Sequence, residues 1–552
     1  MRNALQIAFL GGIDEIGKNM TCLVYNDDIL VVDCGMSFPN EEMPGVDVVI
    51  PDITFLKQNQ SKVRGIILTH GHEDHIGAVP YILKQLNVPV FGTRLTLMLL
   101  DNKLREHRLD NVRLNCIKEG GRLQLGCFQI EALKVSHSIA GALAFAITTP
   151  VGVVFFSGDF KIDYTPVDGQ LMDFARFAEI GKRGVQLLLM ESTNVERKGY
   201  TMSERTVGAS LDRIFGENPE QRLIVATFAS NVHRLQQIID IAKKYGRKVC
   251  FSGRSMINVA DAATRIGELK LDPSQVVDVE RINRVPDKNL VILSTGSQGE
   301  PMSALYRMAF GDHSKISLGE RDLVVISASA IPGNEKMVDR IINELLSHGV
   351  TVWRNAMLEI HVSGHACQEE LKLMHALTKP KYFMPIHGEY KHMIAHKELA
   401  EYMGMPASDI FVSEIGKVLE IDEKGARWNG IIPSGKIMVD GSGVGDVGNI
   451  VLRDRRHLSQ DGLIVVVATV DIDQRVIVSG PDIVSRGFVY VREAEEMMEE
   501  VREISRTALD DCLWNGETEW NQMKTSVKDS VSKFLFQRTK RRPMILPVIM
   551  NV

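Results

Sequence analysis

The sequence predicts a multidomain α/β protein, with a layered α/β domain, a second α/β domain of the doubly wound type, and a small α+β unit at the C-terminus. Three observations carry this prediction. The 552 residues exceed what one hydrophobic core usually organises. Apolar runs of strand length alternate with helical segments through residue 358. A glycine-rich stretch then separates a third apolar segment from the rest.

Strand and turn patterns define the first domain. Each predicted element is a short run rich in branched or aromatic residues that ends in small or polar ones. The predicted strands are Ala4–Leu10, Met20–Tyr25, Ile29–Asp33, Gly65–Leu68, Gly152–Phe156 and Val185–Met190, and a helix is predicted over Ile76–Leu86.

A regular strand-helix alternation marks the second domain, between about 205 and 358. Its predicted parallel strands are Leu223–Thr227, Lys248–Phe251, Val291–Ser294 and Leu323–Ser327. Polar loops follow them, including Ser230-Asn231 and the Ser294–Glu300 segment, and the crevice at such strand ends commonly holds a ligand. Ordinary helix capping uses the same residues and is the favoured interpretation for each loop alone, whereas together the loops favour phosphate binding.

The third unit follows Pro433-Ser434-Gly435 and Gly441–Gly445, a stretch interpreted as a linker or extended loop. Its predicted elements are strands Leu463–Val470, Arg475–Val478 and Met544–Val552, and helices Glu493–Glu503 and Trp520–Phe536. The last strand fits a subunit interface and a core strand equally well. The basic run at Arg538, Lys540, Arg541 and Arg542 fits an RNA contact less well than a solvated helix end.

Bulk composition excludes several classes of protein. Hydrophobic content of 44% and charged content of 24% are ordinary for a soluble domain. No apolar run is long enough to span a bilayer, and no secretory signal pattern is visible, so no membrane association is expected. Seven cysteines occur singly, which suits a reducing cytoplasm. The net charge of -6 gives no general support to nucleic-acid binding, so that function must rest on local groups.

The most informative motif is His70-Gly71-His72-Glu73-Asp74-His75, directly after a predicted buried strand. Imidazole and carboxylate groups are the ligands that zinc and similar ions prefer. Four such ligands in six residues are too many for one open site, so we expect a two-metal site. The alternative is a surface loop that is rich in histidine by chance. Histidines outside such motifs, at 107, 313, 348 and 457, are expected to be structural.

Three further groups occur at the ends of predicted strands: His137, Asp159 and His387. With the motif above, their order resembles the metallo-β-lactamase family, which implies an αββα sandwich. The resemblance implies that His70, His72 and His137 hold one ion, that Asp74, His75 and His387 hold the other, and that Asp159 bridges them. Asp33 matches the family's first aspartate, and its implied role is to orient a ligand imidazole.

A second set of residues indicates a subgroup within this family. Glu191, His365 and His387 match the three motifs of the β-CASP nucleases, and a histidine at the third motif is typical of the members that process RNA. Five segments together resemble the bacterial ribonuclease J family over essentially the whole chain: Gly11–Asn19, His70–Gly77, Ala226–Asn231, His361–Ala366 and Pro385–Tyr390. Some paralogous subunits of that family lack part of the metal motif, whereas this chain keeps every ligand position.

The resemblance implies hydrolysis of RNA phosphodiesters, with Asp74, His365 and Glu191 as catalytic residues. His365, held by Glu191, would stabilise the phosphate or protonate the departing 3′ oxygen. The implied pocket for RNA phosphates is formed by Ser230, Asn231, Val232, His361, Val362, Ser363, Gly364 and His365. It would favour 5′-to-3′ exonuclease action on 5′-monophosphate RNA, with endonuclease cuts as a second mode, in mRNA decay and rRNA maturation.

The resemblance also implies the organisation and partners of the chain. The expected domains are a metallo-β-lactamase domain at 1–205 and 359–430, an inserted β-CASP domain at 206–358, a linker at 431–446 and a C-terminal domain at 447–552. Two zinc ions per subunit are expected, with manganese or magnesium as substitutes. Single-stranded RNA is the expected substrate, and a homodimer or homotetramer, a paralogous subunit, other RNA-decay proteins or the ribosome are the expected partners.

Two other functions remain open on the residues alone. A small-molecule metallohydrolase would use the His70–His75 motif but leaves the inserted domain and the His361–Ala366 motif without a role. A non-catalytic partner subunit would need no intact ligand set. Gly45, Asp47 and Asp440 suggest a further cation site only weakly.

Overall fold

The computed structural model describes residues 3–331, 334–355, 357–489 and 495–552. The chain divides into two compact units, Met1–Ser37 with Ile50–Lys436 and Phe38–Val49 with Ile437–Val552. No helix in the described ranges is long and apolar enough to cross a membrane.

The N-terminal part of the chain alternates short strands and helices up to residue 191. In chain order its elements are β1 (Leu5–Gly11), β2 (Met20–Tyr25), β3 (Asp28–Val32), β4 (Val48–Pro51), α1 (Thr54–Gln58), β5 (Val63–Ile67), α2 (Glu73–Ile76), α3 (Val79–Leu83), β6 (Val90–Gly92), α4 (Arg94–Glu106), β7 (Leu114–Cys116), β8 (Arg122–Leu125), β9 (Phe128–Lys134), β10 (Leu143–Thr149), β11 (Gly152–Phe156), α5 (Phe174–Arg183) and β12 (Val185–Glu191).

The middle of the chain forms a parallel sheet with helices between its strands. Its elements are α6 (Glu204–Glu217), β13 (Arg222–Ala226), α7 (Val232–Lys244), β14 (Lys248–Ser252), α8 (Arg254–Ile266), β15 (Leu290–Ser294), α9 (Ala304–Ala309), β16 (Asp322–Ile326), α10 (Glu335–Ser347) and β17 (Thr351–Arg354). The strand order is β14-β15-β13-β16-β17, and all pairings are parallel. This is the doubly wound domain that the sequence predicts.

After this domain the chain returns to the first one. The returning elements are α11 (Gln368–Thr378), β18 (Pro380–Ile386), α12 (Tyr390–Tyr402), β19 (Lys417–Asp422) and β20 (Gly425–Ile431). Strand β18 pairs with β12 in parallel, and β19 pairs with β1 antiparallel. The parallel domain is therefore an insertion between β12 and β18.

Two sheets face each other in the first unit. Their strand orders are β20-β19-β1-β2-β3-β5-β6-β7 and β18-β12-β11-β10-β9-β8. Alternate residues of each sheet, such as Ile7, Phe145 and Leu189, meet in a shared core. The other face of the second sheet packs Leu188 and Met190 against α5, α11 and α12, while α4 packs against β6 and β7. The expected αββα sandwich is confirmed.

The C-terminal part contains β21 (Lys436–Asp440), β22 (Gly443–Val444), α13 (Asn449–Asp461), β23 (Leu463–Asp471), β24 (Val476–Arg486), α14 (Glu495–Trp514), α15 (Trp520–Thr539) and β25 (Met544–Asn551). The sheet order is β24-β23-β25, with β25 parallel to β23. Its buried face packs Val466 and Ile549 against residues of α14 and α15, such as Leu509 and Val531. This gives the expected α+β unit. The predicted start of its first helix, residue 493, lies outside the described residues, and α14 extends to Trp514 instead of ending at Glu503.

Several local predictions differ from the structure. The helix predicted over Ile76–Leu86 is two short helices, α2 and α3, because Pro80 has no N–H to donate to the carbonyl of Ile76. The stretch 431–446, predicted as a linker or extended loop, contains β21 and β22, since Ile437–Val439 is an apolar run that pairs with β4. Helix α13 was not predicted from the sequence.

The weak cation site suggested at Gly45, Asp47 and Asp440 takes a different form. The guanidinium of Arg455 forms an ion pair with the Asp440 carboxylate, and its Nη1 donates to the carbonyl of Pro44 at 3.1 Å. The carboxylate of Asp47 accepts from the backbone N–H of Gly441 at 2.7 Å. The position suggested for a cation is therefore occupied by an arginine of the same unit.

Candidate active site

The histidine motif lies at the corner between β5 and α2. His70 and His75 are buried, and the ring of His137, which follows β9, joins them. Nδ1 of His72 lies 3.0 Å from Nε2 of His70 and 3.2 Å from Nε2 of His137. Three ring nitrogens from two strand ends therefore converge on one point.

These three imidazoles are held in the neutral form. Burial lowers the pKa of His70 and His137 well below the usual value, and the charges of neighbouring rings lower it further. Burial likewise lowers the pKa of His72 to about 4. Because a metal ion binds only an unprotonated ring nitrogen, a group of neutral imidazoles facing one another fits an ion of the zinc type.

A second group of ligands lies beside the first. Nε2 of His75 is 3.2 Å from the Asp159 carboxylate, and Nε2 of His387 is 3.1 Å from the Asp74 carboxylate. The Nε2 atoms of His75 and His387 are 3.3 Å apart. The ligand atoms of Asp74, His75, Asp159 and His387 all lie within 4.8 Å of one another.

The electrostatics of the second group indicate a demand for positive charge. Burial raises the pKa of Asp74 and Asp159, but the adjacent imidazoles outweigh it and bring both well below the usual value. Burial lowers the pKa of His75, but the carboxylates of Asp159, Asp74 and Asp33 outweigh it and raise the pKa. Without a cation, protons on the rings supply this charge. A divalent ion would supply it without them.

Asp159 lies between the two groups. The same oxygen, Oδ2, is 3.8 Å from Nε2 of His70 and 3.9 Å from Nε2 of His137 on one side. On the other side it is 3.2 Å from His75 and 3.4 Å from His387. Its carboxylate is therefore shared geometrically by both ligand groups.

The outer nitrogens of three candidate ligand rings have partners of their own. Nδ1–H of His75 donates to Asp33 at 2.8 Å, and Nδ1–H of His137 donates to the carbonyl of Gly364 at 2.7 Å. Nδ1 of His387 lies 2.8 Å from the hydroxyl of Thr193. Such contacts fix which ring nitrogen faces the centre. Asp33 is itself held by the N–H and the hydroxyl of Thr69, each at 2.8 Å.

The β-sheet register brings the third-motif histidine into place. Glu191 of β12 pairs with Ile386 of β18, so His387 emerges beside the residues that follow β12. The backbone N–H of His387 donates to the carbonyl of Gly12 at 3.1 Å. The glycine-rich corner after β1 therefore also anchors this residue.

His365, which is partly exposed, pairs with the buried Glu191 next to the candidate metal ligands. Nδ1–H of His365 donates to the Glu191 carboxylate at 2.9 Å, and that carboxylate also accepts from the N–H of Phe160 at 3.0 Å. Burial lowers the pKa of His365, but the charge of Glu191 outweighs it and raises the pKa to about 9. The rings of His365 and His137 have centroids 5.0 Å apart. His365 thus adds a protonated imidazole at the edge of the ligand cluster.

Gly364 occupies a position that no larger residue fits. A Cβ atom there would lie 2.7 Å from the His137 ring and 2.7 Å from the hydroxyl of Ser138. The close approach lets the Gly364 carbonyl reach His137. Next to it, the hydroxyl of Ser363 accepts from Asn194 at 2.8 Å and from the N–H of His365 at 3.2 Å.

The predicted phosphate loop after β13 is partly a helix cap. The side-chain oxygen of Asn231 accepts from the N–H of Arg234 at 3.0 Å, and Asn231 and Val232 are buried. Ser230 remains partly exposed. For this loop, helix capping is therefore present, and phosphate binding stays a prediction that involves Ser230 and the backbone.

Arg234 connects this loop to the His361–Ala366 motif. It is fully buried and ion-paired with Glu204 through two hydrogen bonds of 2.6 and 2.9 Å. Its Nη1 lies 3.2 Å from Nδ1 of His361. A guanidinium can only donate, so Nδ1 of His361 accepts and the ring proton sits on Nε2. Burial, and then Arg234, lowers the pKa of His361 to about 3, so this ring is a neutral donor.

Comparisons with known proteins agree over the whole chain. The descriptions "Metallo-beta-lactamase superfamily" and "Ribonuclease J, beta-CASP domain" match residues 14–171 and 220–345. The descriptions "Zn-dependent metallo-hydrolase RNA specificity domain" and "Ribonuclease J C-terminal domain" match residues 356–412 and 450–552.

Full-length relatives decide the family. The chain is 42% identical to ribonuclease J2 of Bacillus subtilis over 550 residues, which is 99% of each chain. The chain belongs to the ribonuclease J family. It is also 42% identical to ribonuclease J of Thermus thermophilus, over 99% of this chain and 95% of that protein. It is 40% identical to ribonuclease J 1 of Streptococcus pyogenes, over 100% and 98% of the two chains.

A solved structure matches the fold of this ribonuclease J family member. It is a protein of unknown function from Enterococcus faecalis, with a TM-score of 0.54, 19% identity, and coverage of 75% of this chain and 99% of that one. At this identity the match concerns the fold alone.

Several residues of the site were missed by the sequence analysis. These are Asn19, Thr69, Thr193, Asn194, Glu204 and Arg234. Asn19 lies in the family segment Gly11–Asn19, and Thr69 and Thr193 follow predicted strands closely, so proximity to a motif or a strand end was the available signal. Arg234 and Glu204 lie within helical patterns, and no sequence signal separates their buried ion pair from ordinary surface charges.

Proposed function

We propose that this chain degrades single-stranded RNA from a 5′-monophosphate end in the 3′ direction, with endonucleolytic cleavage as a second mode. As a ribonuclease J family member, it is a metal-dependent ribonuclease that hydrolyses phosphodiester bonds. The observation that carries the proposal is the position of the Asp159 carboxylate between two ligand groups, with the His365–Glu191 pair beside them.

The proposed metals are two zinc ions, with manganese or magnesium as substitutes. His70, His72 and His137 would hold one ion, Asp74, His75 and His387 the other, and Asp159 would bridge them. Two ions bound there would lower the pKa of a shared water and neutralise charge on a phosphoryl oxygen. Neutral, buried imidazoles support the first position, and the surplus of carboxylates supports the second.

The chain's own residues supply the remaining parts of the mechanism. Asp74, which accepts from the side-chain amide of Asn19 at 3.3 Å, would align the attacking water. His365 donates Nδ1–H to Glu191, which leaves Nε2–H free to donate to a phosphate oxygen or to protonate the departing 3′ oxygen. Glu191 keeps that imidazole charged and oriented.

The proposed end pocket combines neutral donors with the protonated imidazole of His365. Its residues are Ser230, Asn231, Val232, His361, Val362, Ser363, Gly364 and His365. Nε2–H of His361, the hydroxyls and the loop N–H groups could together hold a monophosphate, while a triphosphate adds bulk and charge. Val232 and Val362 are buried, so they would contribute only backbone groups.

The cellular role that we propose is mRNA decay and rRNA maturation in the cytoplasm. A homodimer or homotetramer, a paralogous subunit, other RNA-decay proteins and the ribosome are the proposed partners. These proposals rest on family membership, and the site geometry concerns only the chemistry.

The test follows a single-stranded RNA labelled on its 5′ nucleotide and carrying either a 5′-monophosphate or a 5′-triphosphate. The metal-loaded wild-type protein should release labelled mononucleotide, faster from the monophosphate. A chelator should abolish release, and His75→Ala should as well, whereas His348→Ala, at an exposed histidine paired with Glu344, should behave as wild type.

Other outcomes would change the proposal. Internal cuts that ignore the 5′ end would retain the nuclease but remove the end pocket. Absence of cleavage by protein shown to contain two ions would favour a non-catalytic partner subunit, or a small-molecule hydrolase if a lactone or thioester substrate were turned over.

A further inference from the structure

A cleft opens in the C-terminal unit between α13, α15 and the start of β25. Its volume is about 640 Å³. The walls carry Arg453, Asp454 and His457 from α13 and Lys528 and Lys533 from α15, and Arg542 stands at the entry to β25. From the sequence alone, His457 is expected to be structural, and the basic run at 538–542 fits a solvated helix end better than an RNA contact.

The lining is strongly cationic. Four cationic side chains, Arg453, Lys528, Lys533 and Arg542, line the cleft together with one carboxylate, Asp454. This local excess contrasts with the net charge of -6 for the whole chain. A concave surface with one sign of charge attracts a polyanion more strongly than scattered surface charges do.

The cationic side chains of the cleft form few ion pairs with other residues of the described part of the chain. In the described ranges, Lys528 and Lys533 have no carboxylate within ion-pair distance. Nε of Arg453 lies 3.6 Å from Asp454, but both side chains are exposed, so the pair is weak. The nearby Asp461 accepts from the backbone N–H of Arg542 at 2.9 Å, and the guanidinium itself remains available.

An aromatic platform completes the cleft. Phe536 is 37% exposed, and the guanidinium carbon of Arg542 lies 4.4 Å from its ring centroid. Met544 adds apolar surface beside it. Nucleobases stack on aromatic rings and on guanidinium planes, whereas an inorganic anion gains no stacking interaction from such a surface.

The positive charge and the aromatic surface of the cleft both occur along one face of α15. Lys528, Ser532 and Phe536 are spaced by four residues, so they lie on one face of the helix, about 6 Å apart along its axis. A cation, a hydroxyl and an aromatic ring therefore succeed one another along the wall. This alternation matches a chain in which phosphates and bases recur.

We propose that this cleft binds a segment of single-stranded RNA, with Arg453, Lys528, Lys533 and Arg542 on its phosphates and Phe536 with Arg542 under a base. The proposal extends the proposed function by adding an RNA contact in the C-terminal unit, and it rests on that function for the choice of RNA. The contact has no sequence preference, because it reads backbone charge and base faces.

The experiment measures binding of a fluorescent 20-nucleotide single-stranded RNA to the full chain by anisotropy at several salt concentrations. A chelator keeps the RNA intact, so the reading stands whether or not the metal-loaded protein cleaves RNA. The test variant is Lys528→Gln with Arg453→Gln. The matched control is Lys524→Gln with Arg456→Gln, which removes the same charges from exposed positions of the same two helices outside the cleft.

We expect the test variant to bind roughly tenfold more weakly and to reduce the slope of log K against log salt by about 1.4, which corresponds to two phosphate contacts. The control should change neither quantity appreciably. Phe536→Leu should weaken binding about fivefold or more without changing the salt slope, since it removes stacking alone.

Two results would overturn the proposal. One is equal binding and equal salt slopes for the test and control variants. The other is loss of binding to poly-glutamate in the test variant while RNA binding is retained, which would assign the cleft to an acidic protein segment.

Discussion

His75 shows how single residues of the site depend on partners that touch no substrate. Its Nδ1–H donates to Asp33, and its Nε2 faces Asp159 and His387. The carboxylate is an obligate acceptor, so it forces the ring proton onto Nδ1 and leaves the Nε2 lone pair for a ligand role.

Asp33→Asn should therefore lower the affinity for metal by about 10- to 100-fold, because an amide can offer N–H to Nδ1 and favour the wrong tautomer. Zinc binding measured by competition with a chromophoric chelator would quantify the loss. Asp27→Asn is the control, since Asp27 is an exposed partner of Lys62. Unchanged zinc affinity in Asp33→Asn would contradict the orienting role.

Gly364 is a second position at which one added atom would disturb the candidate metal site. A Cβ atom there would come within 2.7 Å of both the His137 ring and the hydroxyl of Ser138. Gly364→Ala should displace His137 and reduce bound zinc from two ions toward one per chain. Metal analysis of purified protein would measure this stoichiometry.

Gly319→Ala provides the control for that substitution, because a Cβ atom there meets no atom within 4 Å. If both variants bind two ions per chain, the backbone of residues 361–366 must shift to accommodate the Cβ atom without moving His137.

At the scale of elements, the site depends on how strands end. β5, β9, β11, β12 and β18 each place a functional group just past their last residue or at it. The apolar runs of these strands and the polar residues after them were readable in sequence, and the predicted bounds of β5, β11 and β12 agree with the structure to within about two residues. Pairing of β12 with β18 across the inserted domain was not readable, because register depends on contacts between residues far apart in sequence.

Helices α6 and α7 are joined by the Arg234–Glu204 pair, which also reaches His361. Arg234→Gln should leave Glu204 as an uncompensated buried charge and reduce the free energy of unfolding by about 3–5 kcal/mol. Denaturant unfolding would measure the change.

The same substitution removes the donor that keeps the His361 proton on Nε2. We therefore expect Arg234→Gln to lose its preference for a 5′-monophosphate over a 5′-triphosphate as well. Arg213→Gln, which breaks an exposed pair with Glu217, should cost no more than about 1 kcal/mol and keep the preference. Similar unfolding energies for the two variants would argue against a buried, uncompensated charge.

At the scale of the whole molecule, the chain forms two compact units, and the candidate metal ligands lie in one of them. A ligand that binds only the folded state stabilises it by about 2.7 kcal/mol at a hundredfold excess over its Kd. Zinc should therefore raise the unfolding temperature of the unit that contains residues 50–436.

Differential scanning calorimetry of chelated and zinc-loaded protein would resolve this effect. One transition should move with zinc, and the transition of the unit that contains residues 437–552 should stay in place. In His75→Ala the zinc-dependent shift should shrink. A shift of both transitions by the same amount would mean that the units unfold together.

The sequence by itself determined the fold class and the family, and it singled out the candidate ligand motifs, because these depend on local periodicity and on the spacing of a few residue types. It also left the polar loops of the inserted domain undecided between capping and phosphate binding. The structure shows capping at Asn231, and phosphate binding remains a prediction.

Only the tertiary structure decided which atoms meet. The position of Asp159 between two ligand groups, the buried Arg234 beside His361, and the cationic cleft of the C-terminal unit each combine residues from separate elements. Such juxtapositions follow from sheet register and helix packing, which depend on the burial of whole faces and leave no local signature in the sequence.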